Sequence, residues 1–148
     1  MKKLRISQIQ FQAKSTPAEN AKLLEKYFIK TRRFKPDLIC TPECSNIITN
    51  DKSYLLKNTT HESDCPIIKM AKLYAIENSV SINIGSLLLK EKNQKKLVNR
   101  SFFINSKGKI IKRYDKINMF DVNISKKETH RESHTFKAGK KIEFLILN

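Results

Sequence analysis

The run Val80–Ser81–Ile82–Asn83–Ile84–Gly85–Ser86–Leu87–Leu88–Leu89 constrains this chain more than any other stretch. Val80, Ile82 and Ile84 recur at every second position, which is the period of a strand with one face buried. A strand needs neighbours to satisfy its backbone, and the chain offers them on both sides. Downstream, residues 97–105 and 109–114 read as two further strands, joined by a hairpin at Asn105–Ser106–Lys107–Gly108. Upstream, residues 37–41 (DLICT) form a short apolar run entered through a turn at Lys35–Pro36–Asp37. Residues 4–11 (LRISQIQF) read as an opening strand with Leu4, Ile6 and Phe11 as buried candidates.

Two helical segments alternate with these strands. Thr16 stands at an N-cap position, Pro17 at the first helical position and Glu19 three residues after the cap, the pattern of a capping box. Ala21, Leu24 and Phe28 then fall on one face, and the helix must stop before Pro36. A second helix starts near Asp64–Cys65–Pro66, gathers Ile67, Ala71, Tyr74 and Ala75 on one face, and ends around Asn78. Residues 90–96 form a charged turn and 115–139 an irregular stretch, before the apolar segment KKIEFLILN reads as a last strand. Alternating strands and helices predict an α/β layered fold. With no repeat, linker or low-complexity tract, residues 1–148 read as one domain.

Composition matters at two points. Thirty Lys and Arg against fourteen Asp and Glu give a formal charge of +16, which by itself suggests a polyanion partner. Lysine scattered along the chain, not clustered arginine, carries that charge, so a solvated cationic surface is expected and nucleic acid is not. The three cysteines, Cys40, Cys44 and Cys65, make no even framework and no CxxC pair, as expected of a reducing, cytoplasmic setting. Polar Ser7, Gln8 and Gln10 interrupt any signal-peptide core, and no apolar run is long enough to cross a membrane.

Two residues draw chemical attention. Glu43 follows the run Leu38–Ile39–Cys40–Thr41–Pro42, and in α/β sheets the carboxyl ends of strands are where catalytic groups gather. Lys116 lies just past a hairpin strand between Tyr114 and Phe120, and partial desolvation there would make it a fixed cation able to stabilise an oxyanion. Taken singly, each is better read as a solvated surface charge. His130 and His134 lie four apart with Glu132 between them, but the segment around them lacks helix periodicity and a third ligand, so neither a metal nor a cofactor is expected. Close backbone approach and turn geometry account for Gly85 and Gly108.

Taken together, Pro42–Glu43–Cys44–Ser45–Asn46, the strand 82–86, the hairpin 99–116, Phe120–Asp121–Val122 and the pattern over 132–139 occur in an order that resembles the nitrilase superfamily of carbon–nitrogen hydrolases, most closely its omega-amidase-like branch. The resemblance implies an α-β-β-α sandwich, of which this chain would hold the first half. It implies Glu43 as the general base for a cysteine thiol, Lys116 as the lysine that stabilises the tetrahedral intermediate and assists proton transfer, and Glu132 as a second glutamate that positions lysine and substrate. The implied substrate is a small amide or nitrile.

The chain also departs from the family pattern. The nucleophile belongs to a later GxxICYD-like motif, which residues 1–148 do not contain. Cys44 directly follows Glu43, and on an extended segment the two side chains would point apart. Cys40 and Cys65 lack the motif. Asn118 stands where the branch usually has His, and Ser45 where it is commonly aromatic, both expected to bear on the substrate pocket. Three readings follow: a truncated hydrolase inert alone, one half of a split amidase completed by a separate C-terminal half chain that supplies the cysteine, and a non-catalytic basic binding module. The partners to expect are a homodimer or that C-terminal half chain. The terminal segment Ile142–Leu147 is expected to leave apolar surface or an unpaired edge.

Overall fold

A computed structural model describes residues 3–123, 125 and 129–146. Its centre is a five-stranded sheet of β1 (Ile6–Gln8), β2 (Leu38–Cys40), β3 (Ser81–Lys90), β4 (Leu97–Ile104) and β5 (Ile110–Asp115), in that spatial order. Strands β1, β2 and β3 run parallel, with Ile39 opposite both Ser7 and Ile82. Strands β3, β4 and β5 are antiparallel, as expected for neighbours joined by short turns. Gly108 turns the second hairpin with φ +71°.

Helices α1 (Pro17–Thr31) and α3 (Pro66–Asn78) cover one face of the sheet. Leu24 and Phe28 from α1, and Ile67, Ala71, Tyr74 and Ala75 from α3, pack with Ile39, Ile82, Ile84, Phe102 and Ile104 in the main core. Burying a side chain such as Phe28 is worth about 2–3 kcal/mol. Tyr74 keeps its hydroxyl satisfied by donating to the Phe28 carbonyl at 2.5 Å, tying the two helices together.

A smaller apolar cluster lies on the opposite face. Leu88 points there, since it alternates with the core residues Leu87 and Leu89, and it meets Ile47, Leu55 and Leu97. Leu55 comes from α2 (Lys52–Asn58), a short helix absent from the sequence reading. Asp51 starts it, accepting the Tyr54 amide at 2.9 Å on its side chain. Beyond β5 the chain forms a two-stranded ribbon, β6 (Asp121–Asn123) and β7 (Thr129–Arg131), inside the stretch expected to be irregular.

Three local expectations need correction. Leu4 and Ile6 are exposed, at 53% and 52%, and Ile9 is the residue that enters the core. Strand alternation turns Ile6 to the face opposite α1 and α3, and β1 is an edge that pairs only with β2. The capping box does not close: helix α1 starts at Pro17 as expected, but the Thr16 hydroxyl bonds the Glu19 carboxylate instead of a backbone amide. Residues 141–146 form no strand, and Leu147 lies outside the described residues. This segment crosses the β4–β5 face instead of pairing with an edge. Phe144 and Leu145 line a groove with Phe103 and Tyr114, and Lys112 bonds Glu143 at 3.0 Å. Ile142, Phe144 and Ile146 stay exposed, as the apolar surface expected of this segment. The two-sheet sandwich implied by the resemblance is represented here by one five-stranded sheet and the β6–β7 ribbon.

Candidate active site

A bulge in β3 builds the platform for the site. Ile84 faces Phe102 and Leu87 faces Arg100, so β3 carries one more residue than β4 between these pairs. The freed groups of Gly85 and Ser86 bind the turn that follows β2. Ser86 donates its amide to the Pro42 carbonyl at 3.2 Å and accepts the Ser45 amide at 2.9 Å, while its hydroxyl accepts the Cys44 amide at 2.9 Å. A Cβ on Gly85 would stand 2.1 Å from the Thr41 carbonyl oxygen, so only glycine lets the turn lie this close. Ser45 is fully buried and donates to the Pro42 carbonyl at 2.6 Å. It shapes the turn from inside. Asn46 completes the anchor by pairing with both backbone groups of Leu88, at 2.8 and 2.9 Å.

This turn presents Glu43. Across the sheet, Lys116 follows β5 directly, and its amide donates to the Asn99 carbonyl at 2.9 Å. Gly139 backs that strand end, where a Cβ would stand 2.1 Å from the Asp115 carbonyl oxygen. Glu132 opens a single helical turn after β7. Residues far apart in sequence thus meet at one cation: Lys116 Nζ lies 3.0 Å from Glu43 Oε1, and 3.1 and 3.0 Å from Glu132 Oε1 and Oε2. All three residues singled out from the sequence converge.

Their environments differ. Glu132 is the most enclosed, with its side chain 12% exposed, and it also accepts the Phe120 amide at 2.6 Å. Lys116 is partly covered and Glu43 is open, at 56% exposure. Burial pushes the Glu43 carboxyl upward, but hydrogen bonds from Lys116 and Asn99 and the lysine charge outweigh it, holding the group below the usual carboxylate value. Burial alone would lower the Lys116 ammonium. The hydrogen bonds and charges of Glu132 and Glu43 overcome this and hold it above the ordinary lysine value. Carboxylates therefore fix this cation, not the aromatic neighbours inferred from sequence: Phe120 is 58% exposed and stacks on His130, centroids 5.7 Å apart.

Asn99 was missed. It is a neutral amide inside a strand, and nothing in its sequence setting marks it as reactive. In the fold it is 2% exposed and donates to Glu43 Oε1 at 2.7 Å.

Cys44 is closer to the site than expected. Its backbone is left-handed, with φ +54°, so the Glu43–Cys44 segment is a turn and the extended-chain argument for separating the two side chains fails. Cys44 Sγ lies 4.0 Å from Asn99 Nδ2. Burial above all, and the Glu43 charge next, push this thiol up to about 12, the wrong direction for a nucleophile. Burial also raises Cys40 and Cys65. Among the described residues no three His, Cys, Asp or Glu side chains gather as a metal site, and no helix is long and apolar enough to cross a membrane. Asn118, the other departure from the family pattern, is exposed.

The profile of the family described as carbon-nitrogen hydrolase matches residues 3–147. The chain belongs to that family. A deaminated glutathione amidase of Yersinia enterocolitica is 29% identical over 143 residues, covering 94% of this chain and 49% of that protein. A probable hydrolase, nit2, of Schizosaccharomyces pombe is 33% identical over 102 residues, covering 68% of this chain and 37% of its own length. The chain thus spans about half, or less, of these relatives. Among solved structures, the Caenorhabditis elegans NitFhit protein superposes with a TM-score of 0.78 at 21% identity, over 93% of this chain and 33% of that one. Saccharomyces cerevisiae Nit3, a member of the nitrilase superfamily, gives 0.75 at 17% identity, over 93% and 49%. These structures share the α/β fold of this nitrilase-superfamily chain.

Proposed function

We propose that this chain carries the acid–base part of a hydrolase for non-peptide carbon–nitrogen bonds, of the omega-amidase-like kind, with a small amide as substrate. The observation that carries the reading is the single ammonium of Lys116 held between Glu43 and Glu132 at 3.0–3.1 Å. In the proposed reaction Glu43 takes the proton of a cysteine thiol as sulfur attacks the carbonyl carbon. Lys116 stabilises the oxyanion as a fixed cation, which its raised pKa suits better than proton donation. The C–N bond then breaks, Glu43 returns the proton to the leaving nitrogen, and ammonia departs. Water, activated by the same carboxylate, hydrolyses the thioester and restores the thiol. Glu132 holds Lys116 and takes no proton.

The thiol would come from polypeptide outside residues 1–148, joined to this chain or separate from it. None of Cys40, Cys44 and Cys65 combines an activated thiol with access to Lys116. On this reading residues 1–148 alone release no ammonia from short primary amides. The test is to assay the chain alone and with a C-terminal segment bearing the GxxICYD-like motif, fused or co-expressed. Ammonia release only in the completed protein supports the proposal. Release by residues 1–148 alone, abolished by Cys44→Ala, overturns it.

A further inference from the structure

Glu43 has two carboxylate oxygens, and only one is engaged. Oε1 accepts from Asn99 Nδ2 at 2.7 Å and from Lys116 Nζ at 3.0 Å, whereas Oε2 carries no hydrogen bond among the described residues. Among the described residues Asn99 and Lys116 are the hydrogen-bond donors to this carboxylate, and Asn99 is held firmly enough to act on it. Asn99 lies on β4 opposite Leu88, its carbonyl receives the Lys116 amide at 2.9 Å, and its side chain is sealed beneath the Glu43 turn. The Oδ1 of the same amide is buried without a hydrogen-bond partner among the described residues, so the donation to Glu43 is what orients the amide. Turning the amide over would satisfy neither group, since a carbonyl oxygen would then face the Glu43 carboxylate.

We infer that Asn99 is a positioning residue for the general base: it and Lys116 together clamp Glu43 Oε1, turning Oε2 outward as the oxygen that exchanges the proton. The two clamps are not equivalent. Lys116 supplies charge and must also serve the oxyanion, so its hold on Glu43 weakens whenever substrate charge develops. Asn99 is neutral and buried, and keeps the carboxylate aimed at that moment. It also favours the ionised form of Glu43 without adding a competing positive charge. The inference rests on the proposed role of Glu43 as base, but the contact itself can be tested without any turnover.

The test is nuclear magnetic resonance on residues 1–148, following the Glu43 side-chain carboxyl carbon and the Asn99 side-chain amide across an acid titration. In the wild type the Asn99 amide protons should shift with the same midpoint as the Glu43 carboxyl, and that response should vanish in Glu43→Gln. In Asn99→Leu the Glu43 midpoint should move up, and in the isosteric Asn99→Asp it should move up further, because an acceptor replaces the donor. A folded Asn99 variant with an unmoved Glu43 midpoint overturns the inference. So does a wild-type Asn99 amide that ignores the Glu43 titration, a result that needs no variant to fold. In the completed enzyme, Asn99→Leu should lower kcat with KM nearly unchanged and shift the acidic limb of the pH profile upward. An Asn99–Glu43 coupling seen in the isolated chain, with no activity on completion, would count against the proposed function and leave the clamp intact.

Discussion

Lys116 Nζ stands 3.0 Å from Glu43 Oε1, joining the turn after β2 to the end of β5 across the second face of the sheet. The pair links residues 73 positions apart, and it forms because β3 and β4 bring both chain segments to one place.

This pairing has a pH signature. Glu43 is held below the usual carboxylate value by Lys116 and Asn99, so its stabilising contribution is present above the unfolded carboxylate pKa and disappears as pH falls through the lower folded value. Because the side chain is largely solvated, the effect should be small. Urea midpoints measured from neutral to strongly acidic pH should fall less steeply in Glu43→Gln than in wild type. Equal slopes would mean the pair adds nothing.

Gly85 offers a structural test of the platform. A methyl group at this position meets the Thr41 carbonyl at 2.1 Å, and backbone cannot yield as a side chain can. Gly85→Ala should cost about 1–3 kcal/mol in chemical denaturation. It should also raise the Glu43 midpoint, since the turn that aims Glu43 is displaced. A stable variant with an unchanged Glu43 would show that the turn is not held by the bulge.

Much of this arrangement was legible in the sequence. The alternation of Val80, Ile82 and Ile84 and the hairpin at Gly108 gave the antiparallel half of the sheet, because periodicity reports burial directly. Helix α2 was not legible, since its seven residues hold one buried side chain, Leu55, and only the Asp51 cap announces it. Leu4 and Ile6 misled because hydrophobicity says nothing about which face of an edge strand is covered. Glu43 and Lys116 drew notice from their places beside strands, but only the family pattern joined them to each other and to Glu132, for isolated charges carry no spatial information. Asn99 stayed hidden because its importance arises wholly from what it touches.

Glu132 should govern order beyond β5. It binds Lys116 and the Phe120 amide, and Asp121 accepts the Ser133 amide at 3.0 Å beside it. Glu132→Ala should therefore speed hydrogen exchange at the Phe120 and Ser133 amides by about tenfold or more, equivalent to losing one to two such bonds. Exchange in β3 and β4 should not change. An unaltered Phe120 amide would remove Glu132 from its anchoring role.

The cysteines should be quiet. With its thiol pushed up to about 12, Cys44 would be about one part in 10⁴ thiolate at pH 8. Alkylation of the folded chain by iodoacetamide at that pH should leave Cys44 unmodified on a timescale that fully labels the urea-unfolded chain, as read by peptide mass. Rapid labelling of Cys44 in the folded state would reopen it as a nucleophile.

The most direct measurement is kcat/KM for a short primary amide in the protein completed with the thiol-bearing segment, comparing wild type with Lys116→Met. Removing the cation should lower kcat/KM by about 10²–10³-fold, as loss of an oxyanion stabiliser does, while leaving assembly intact. Activity within a few-fold of wild type would contradict a hydrolase built around Glu43, Lys116 and Glu132.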